Sequence, residues 1–130
     1  MDVNSKSYQE LLKKRPLNVQ SRFGSEAMGL VSGRDIVAAA KEVDSIVLAA
    51  NARHPLVIKA VLQAAKKKNA AVLIELAKSE STYCGSNYDN IPDYALKYSS
   101  EMGHGAVFGL HVDHYAIKGH EDVLKGVAHL

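Results

Sequence analysis

The chain has 130 residues, with 16 Lys and Arg against 14 Asp and Glu, a net charge of +2 and 47% hydrophobic residues. This composition is sufficient to bury a core, which excludes intrinsic disorder, and it lacks the basic excess of nucleic-acid-binding proteins. There is no signal-peptide pattern, no apolar run reaches the ~20 residues of a membrane helix, and the single cysteine, Cys84, excludes an internal disulfide. We therefore expect a cytoplasmic globular domain with no nucleic-acid or membrane partner.

Two helices are predicted in the first third of the sequence, over about residues 5–43. Residues 5–15 place apolar side chains at helical spacing, and Pro16 ends this helix because proline disfavours helical backbone in the residue before it. Residues 17–31 show no sustained period, which predicts a connector. Ser32 is a predicted N-cap for the second helix, whose hydroxyl would accept an amide proton from the first turn.

Strands and helices then alternate. Short runs that are apolar on both faces predict strands at residues 45–50, 71–76 and 106–113, because such strands are covered by helices on both sides. A helix that begins at Pro55 follows the first strand, and one over about residues 92–102 follows the second. A final helical pattern stops at Leu130 without a capping signal, so we expect the sequence to be cut within a helix.

This alternation predicts an α/β fold with parallel strands. Three parallel strands alone would leave two unprotected edges, whereas a complete (β/α)8 barrel needs ~250 residues, or about 30 for each unit. The observed strand spacing matches that unit. We therefore predict a single partial domain that forms about the first three βα units of a TIM barrel, with a flavodoxin-like open sheet as the structural alternative.

The candidate site lies at the end of the third predicted strand. Alternation along the strand places His111 and Asp113 on one face, and His114 follows where the strand gives way to a loop. An imidazole that binds a divalent metal, beside a carboxylate that moves a proton, suits these residue types. A catalytic zinc usually has three protein ligands, so the sequence supplies part of a metal site at most.

The sequence resembles the class II, metal-dependent ketose-bisphosphate aldolases from about residue 30 onward. Four segments are similar: Leu30-Val-Ser-Gly-Arg-Asp-Ile36, Ala49-Ala-Asn51, Ala71-Val-Leu-Ile-Glu-Leu76 and Leu110-His-Val-Asp-His114. The last of these is the most specific, and the others occur in the expected order and spacing.

The resemblance implies a role for each candidate residue. His114 would be a ligand of Zn²⁺ or another divalent metal, and Asp113 would be the acid/base that exchanges a proton with the substrate. Asn51 and His111 would be substrate-binding residues, and His111 would lie behind the metal ligand without coordinating the metal itself. The substrate would be a phosphorylated ketose that is cleaved to dihydroxyacetone phosphate and an aldehyde, and the enzyme would be a homodimer or a larger homo-oligomer. The other metal ligands and the phosphate-binding loops of the family would lie outside this sequence, so the fragment alone is predicted to be inactive.

Two positions depart from the family pattern and keep alternatives open. Tyr115 stands where the family usually has a small residue, and Ala77 stands where many members have a serine near the substrate phosphate, although Ser79 and Ser81 are close by. One alternative is a non-catalytic barrel-type subunit that assembles with an aldolase partner. Another is a metal-dependent hydrolase that uses the same His-x-Asp-His segment to activate water.

Overall fold

The computed structural model describes residues 1–128, in which helices surround a four-stranded parallel sheet. The elements in chain order are α1 (Lys6–Lys13), α2 (Leu17–Phe23), β1 (Gly29–Leu30), α3 (Gly33–Glu42), β2 (Leu48–Asn51), α4 (Pro55–Lys68), β3 (Ala71–Ala77), a 3-10 helix (Glu80–Thr82), α5 (Ile91–Glu101), β4 (Val107–Asp113) and α6 (His120–Ala128). Among these residues no helix is both long and apolar enough to cross a membrane. The predicted end of the last helix at Leu130 lies outside the described residues.

The predicted connector over residues 17–31 was wrong, because this segment contains α2 and β1. Val19 and Phe23, four residues apart, are the buried residues of α2, and both residues of β1 are buried. A seven-residue helix and a two-residue strand are too short to show a periodic pattern. Packing against the rest of the core therefore determines these two elements.

The two ends of α3 correct two further predictions. Ser32 occupies the N-cap position of α3, but its hydroxyl makes no capping hydrogen bond. At the other end of α3, Asp44 has a left-handed backbone with φ of 48°, and the Ser45 amide donates to the Ala40 carbonyl at 2.9 Å. Since Ser45 is used to close the helix, β2 begins at Leu48, three residues later than predicted.

The strand order in the sheet is β1-β4-β3-β2, with all strands parallel. The α/β class and the parallel sheet predicted from the sequence are confirmed. β2, β3 and β4 are neighbours in chain order, as successive βα units of a barrel are. β1 pairs with β4 at the opposite edge from β2, so the described sheet is open.

Helices cover both faces of this sheet. One face packs against α4 and α5 through a core that includes Ile58, Leu62, Val72, Ile74, Leu76, Ala95 and Phe108. The other face packs against α1 and α3 through a smaller cluster that includes Tyr8, Leu11, Val31, Ile36, Leu73 and Val107. Side chains alternate between the two faces along each strand. Glu75, His111 and Asp113 therefore share the face that α3 covers, here called the α3 face, near the carboxyl ends of β3 and β4.

The start of α3 approaches the sheet closely at Gly109. A Cβ atom at position 109 would lie 3.0 Å from the Gly33 Cα atom and 3.0 Å from the Leu73 Cδ2 atom. We expect Gly109→Ala to lower the free energy of unfolding by about 1–3 kcal/mol, because α3 backbone must move away from β4 to admit the methyl group. Denaturant unfolding measures this change.

Gly119→Ala is the matched control, because a Cβ atom there would meet nothing within 4 Å. Its free energy of unfolding should stay within about 0.5 kcal/mol of the parent. Equal stability of the two variants would show that α3 does not pack on β4 in this way.

Candidate active site

Three polar residues form a row across the sheet. In the strand register Asn51 of β2 pairs with Glu75 of β3, and Glu75 pairs with His111 of β4. Paired residues of neighbouring strands project to the same face, and this row lies near the carboxyl ends of the strands. In open parallel α/β sheets, ligands bind at that edge.

Glu75, His111 and Asp113 form one cluster on this face. Each offers a ligand atom, and these atoms lie within 4.8 Å of one another. His111 Nδ1 is 3.0 Å from Glu75 Oε2. An imidazole nitrogen can donate to a carboxylate oxygen, and a neutral imidazole that donates through Nδ1 presents Nε2 as an acceptor or metal ligand.

His114 lies beside this cluster and is not one of its members. Its φ of 44° is left-handed, an uncommon conformation for a residue other than glycine, and it turns the chain at the end of β4. The imidazole Nε2 is 3.4 Å from Asp113 Oδ1, and the side chain is 85% exposed. The structure therefore brings His111 and Asp113 together, with His114 adjoining Asp113 from outside.

The donor set of the site suits a divalent metal. Imidazole nitrogens and carboxylate oxygens are ligands of Zn²⁺ and of other divalent transition metals. Glu75, His111 and Asp113 provide one nitrogen and two oxygens within a short distance of one another, and the His114 imidazole adjoins Asp113. The chemistry of the residues present is compatible with the metal that the sequence led us to expect.

Asn51 contacts a residue that the sequence analysis did not select. Its Nδ2 donates to Glu80 Oε2 at 2.7 Å, and Glu80, which is 6% exposed, also accepts from Arg53 Nε at 2.6 Å and from the Ala77 amide at 3.2 Å. The hydrogen bonds from Asn51 and Arg53 hold the pKa of the Glu80 carboxyl below its ordinary value. The Asn51 Oδ1 atom is buried without a hydrogen-bond partner among residues 1–128.

A cavity of about 430 Å³ includes His111 in its lining but not Asn51, Glu75, Asp113 or His114. Most of its lining belongs to α2, α5 and the face of the sheet that packs on α4 and α5, and includes Val19, Phe23, Ile74, Tyr88 and Leu110. The cavity therefore lies mainly on the face opposite Glu75 and Asp113.

Lys78, the first residue after β3, binds the segment that follows β4. Its Nζ donates to the Ala116 carbonyl at 3.2 Å, pairs with Asp122 and lies 4.7 Å from the centre of the Tyr115 ring. Tyr115 also packs on Tyr88, with 6.3 Å between ring centres. The tyrosine that departs from the family pattern is thus part of the packing that fixes this loop.

Lys78→Met removes these contacts. The hydrogen bond from Lys78 is the main reason why the pKa of Asp122 is lowered, so its contribution to stability is complete above the ordinary carboxyl pKa and is lost as the pH falls through the lowered value. At neutral pH we expect the variant to exchange amide hydrogens in residues 116–124 on the order of tenfold faster than the parent. Hydrogen-exchange mass spectrometry measures the rate, and the acid dependence of that rate should weaken in the variant.

Lys67→Met is the control for the lost charge, since Lys67 is exposed in the last turn of α4. Equal exchange rates in residues 116–124 for Lys78→Met and Lys67→Met would contradict the role given to Lys78.

The comparison with known families agrees with this geometry. The family model described as fructose-bisphosphate aldolase class-II matches residues 31–128, which is most of the chain and includes Asn51, His111, Asp113 and His114. A comparison with curated proteins found no match. The resemblance inferred from about residue 30 onward is confirmed, and the chain belongs to the class II fructose-bisphosphate aldolase family.

Proposed function

We propose that this chain is part of a metal-dependent aldolase that reversibly cleaves a phosphorylated ketose, such as fructose 1,6-bisphosphate, to dihydroxyacetone phosphate and an aldehyde phosphate. Membership of the family indicates aldolase-type lyase chemistry. The observation that supports the proposal most directly is Asp113, which shares its face with His111 and adjoins His114 at the carboxyl end of β4.

Asp113 is the proposed catalytic acid/base. Its carboxylate, 25% exposed, is accessible to a substrate and has the chemistry to take the proton of the hydroxyl group at the carbon bond that breaks. In the reverse reaction the same group returns the proton. Glu75 keeps the His111 imidazole oriented beside it, through the 3.0 Å contact with Nδ1.

His114 is the proposed ligand of Zn²⁺ or another divalent metal, and its imidazole lies 3.4 Å from the carboxylate of the proposed acid/base Asp113. A divalent metal supplies Lewis acidity that polarises a ketose carbonyl and stabilises negative charge left by cleavage. Asn51 binds a polar group of the substrate from the end of β2. We further propose that β2, β3 and β4 belong to a TIM barrel and that the enzyme is a homo-oligomer.

One observation favours a second candidate, a non-catalytic barrel-type subunit that assembles with an aldolase partner. The His114 side chain is 85% exposed and lies outside the cluster of possible ligands. Metal analysis of the protein separates the two functions. Stoichiometric bound zinc that is lost in His114→Ala supports the enzyme, and absence of metal from a protein that co-purifies with an active aldolase supports the subunit.

Asp113→Asn tests the acid/base role in the full-length enzyme. Loss of a positioned acid/base should lower kcat for cleavage of fructose 1,6-bisphosphate by about 10²–10⁴-fold. Bound metal, measured by atomic spectroscopy, should be retained, because His114 is unchanged.

Asp93→Asn is the matched control, since Asp93 is an exposed carboxylate at the start of α5 that pairs with Arg22. It should leave kcat unchanged. Full turnover in Asp113→Asn would exclude Asp113 as the acid/base.

A further inference from the structure

The imidazole of His114, the proposed metal ligand, depends on its backbone for its position. The side chain is 85% exposed, and the one polar contact that residues 1–128 give its imidazole is with Asp113 Oδ1, at 3.4 Å. Exposed side chains change rotamer within nanoseconds, so packing does not hold this ring in place. The contacts that fix the backbone of His114 therefore decide whether the imidazole stays beside Asp113.

That backbone belongs to a tight turn centred on Tyr115. The Ala116 amide donates to the His114 carbonyl at 3.1 Å, which closes a turn of three residues, and His114 itself is left-handed, with φ of 44°. A left-handed backbone is unfavourable for histidine and persists only where the surrounding structure holds it. The turn lies between β4 and α6, outside both elements, so side-chain contacts must hold it.

The ring of Tyr115 makes those contacts. It packs on α6 at Gly126, where a Cβ atom would lie 3.2 Å from Tyr115 Cε1 and 3.3 Å from its Cζ. The ring also contacts Lys78, whose Nζ lies 4.7 Å from the ring centre, and Tyr88, with 6.3 Å between ring centres. Cation–π and aromatic contacts of this kind are attractive beyond the area that they bury. The centre of the turn is thus attached both to α6 and to the segment that follows β3.

We propose that Tyr115, packed against Gly126, is a positioning residue that holds His114 beside Asp113 for metal binding. The inference rests on the proposed function for the role of His114 as a metal ligand. It gives a role to the tyrosine that departs from the family pattern, since a small residue at this position would leave the turn without the ring contacts. It also connects α6 to the site, because Gly126 makes room for the ring.

Tyr115→Ala tests this role, because it removes the ring and retains every proposed ligand. In the full-length protein we expect the dissociation constant for Zn²⁺ to rise by about 10–100-fold, as it does when groups that orient metal ligands are removed. Competition with a chelating dye measures this constant. Tyr115→Phe keeps the ring and its contacts, so its dissociation constant should stay within about twofold of the parent.

Tyr83→Ala is the matched control, because Tyr83 is also a loop tyrosine but is 72% exposed. It should bind Zn²⁺ as the parent does. Zn²⁺ binding in Tyr115→Ala as tight as in the parent would overturn the proposal.

Gly126→Ala separates positioning from general damage to the fold. Alanine is more favourable than glycine within a helix, so the substitution favours α6 itself, but its methyl group would displace the Tyr115 ring. We expect the dissociation constant for Zn²⁺ to rise by about two- to tenfold, and not to rise when the same substitution is made in Tyr115→Ala, which has no ring to displace. Gly119→Ala, whose Cβ atom would meet nothing within 4 Å, should leave the constant unchanged. An equal effect of Gly126→Ala in the two backgrounds would show that α6 does not act through Tyr115.

A further measurement does not depend on the metal. The Ala116 amide, which donates to the His114 carbonyl, should exchange with solvent about tenfold faster in Tyr115→Ala than in the parent, and at the parent rate in Tyr115→Phe. Nuclear magnetic resonance resolves this amide. If the parent binds no Zn²⁺, the proposed metal site is wrong, and exchange at Ala116 still decides whether Tyr115 holds the turn. Equal exchange in Tyr115→Ala and the parent would exclude that role.

Discussion

The register of the parallel strands β2, β3 and β4 determines which side chains meet at the carboxyl edge. Asn51, Glu75 and His111 lie in one row because their strands pair in that register, and Asp113 lies one step further along the same face. A slip of one residue in β4 would move His111 and Asp113 to the opposite face, against α4 and α5. The same slip would place Leu110 and Val112 beside Glu75, so burial of the apolar side chains and assembly of the site require the same register.

Polar and charged contacts at the ends of the strands hold the loops that follow β3 and β4. Glu80 binds Asn51 and Arg53, and Lys78 binds Asp122 and the carbonyl of Ala116, so two loops are attached to the sheet by ion pairs from neighbouring positions. Loops with few apolar contacts otherwise open easily. Here the contacts of Glu80 and Lys78 hold the loops that lie next to the cluster of Glu75, His111 and Asp113, so the proposed chemistry depends on these contacts as well as on the sheet.

The sequence predicts the long elements and the residues of β4 because their signals are local. Apolar runs bounded by turn residues identify β3 and β4 within one residue of their observed bounds, and His111 and Asp113 are visible as polar residues in an apolar strand. Glu75 is also a lone carboxylate in an apolar strand, but its contact with His111 depends on the pairing of two strands that are 36 residues apart at this point. Glu80 lies in a polar loop where nothing local distinguishes it from its neighbours. The exposure of His114 and its left-handed backbone, with φ of 44°, depend on how the chain turns after β4, which the residues around it do not specify.

The α3 face shows how one pattern of alternation serves both packing and chemistry. In its amino-terminal half this face carries apolar residues such as Leu73 and Val107, which require cover, and α3 supplies it through Ile36. In its carboxyl-terminal half the face carries Glu75, His111 and Asp113, which require solvent or a ligand. In the barrel that we propose, side chains of the other strands would fill the interior, and in the described structure α3 covers this part of the face. The close contact of Gly33 with Gly109 marks the boundary between the two halves, since it brings the start of α3 onto the sheet two residues before His111 and leaves the carboxyl edge beyond it uncovered.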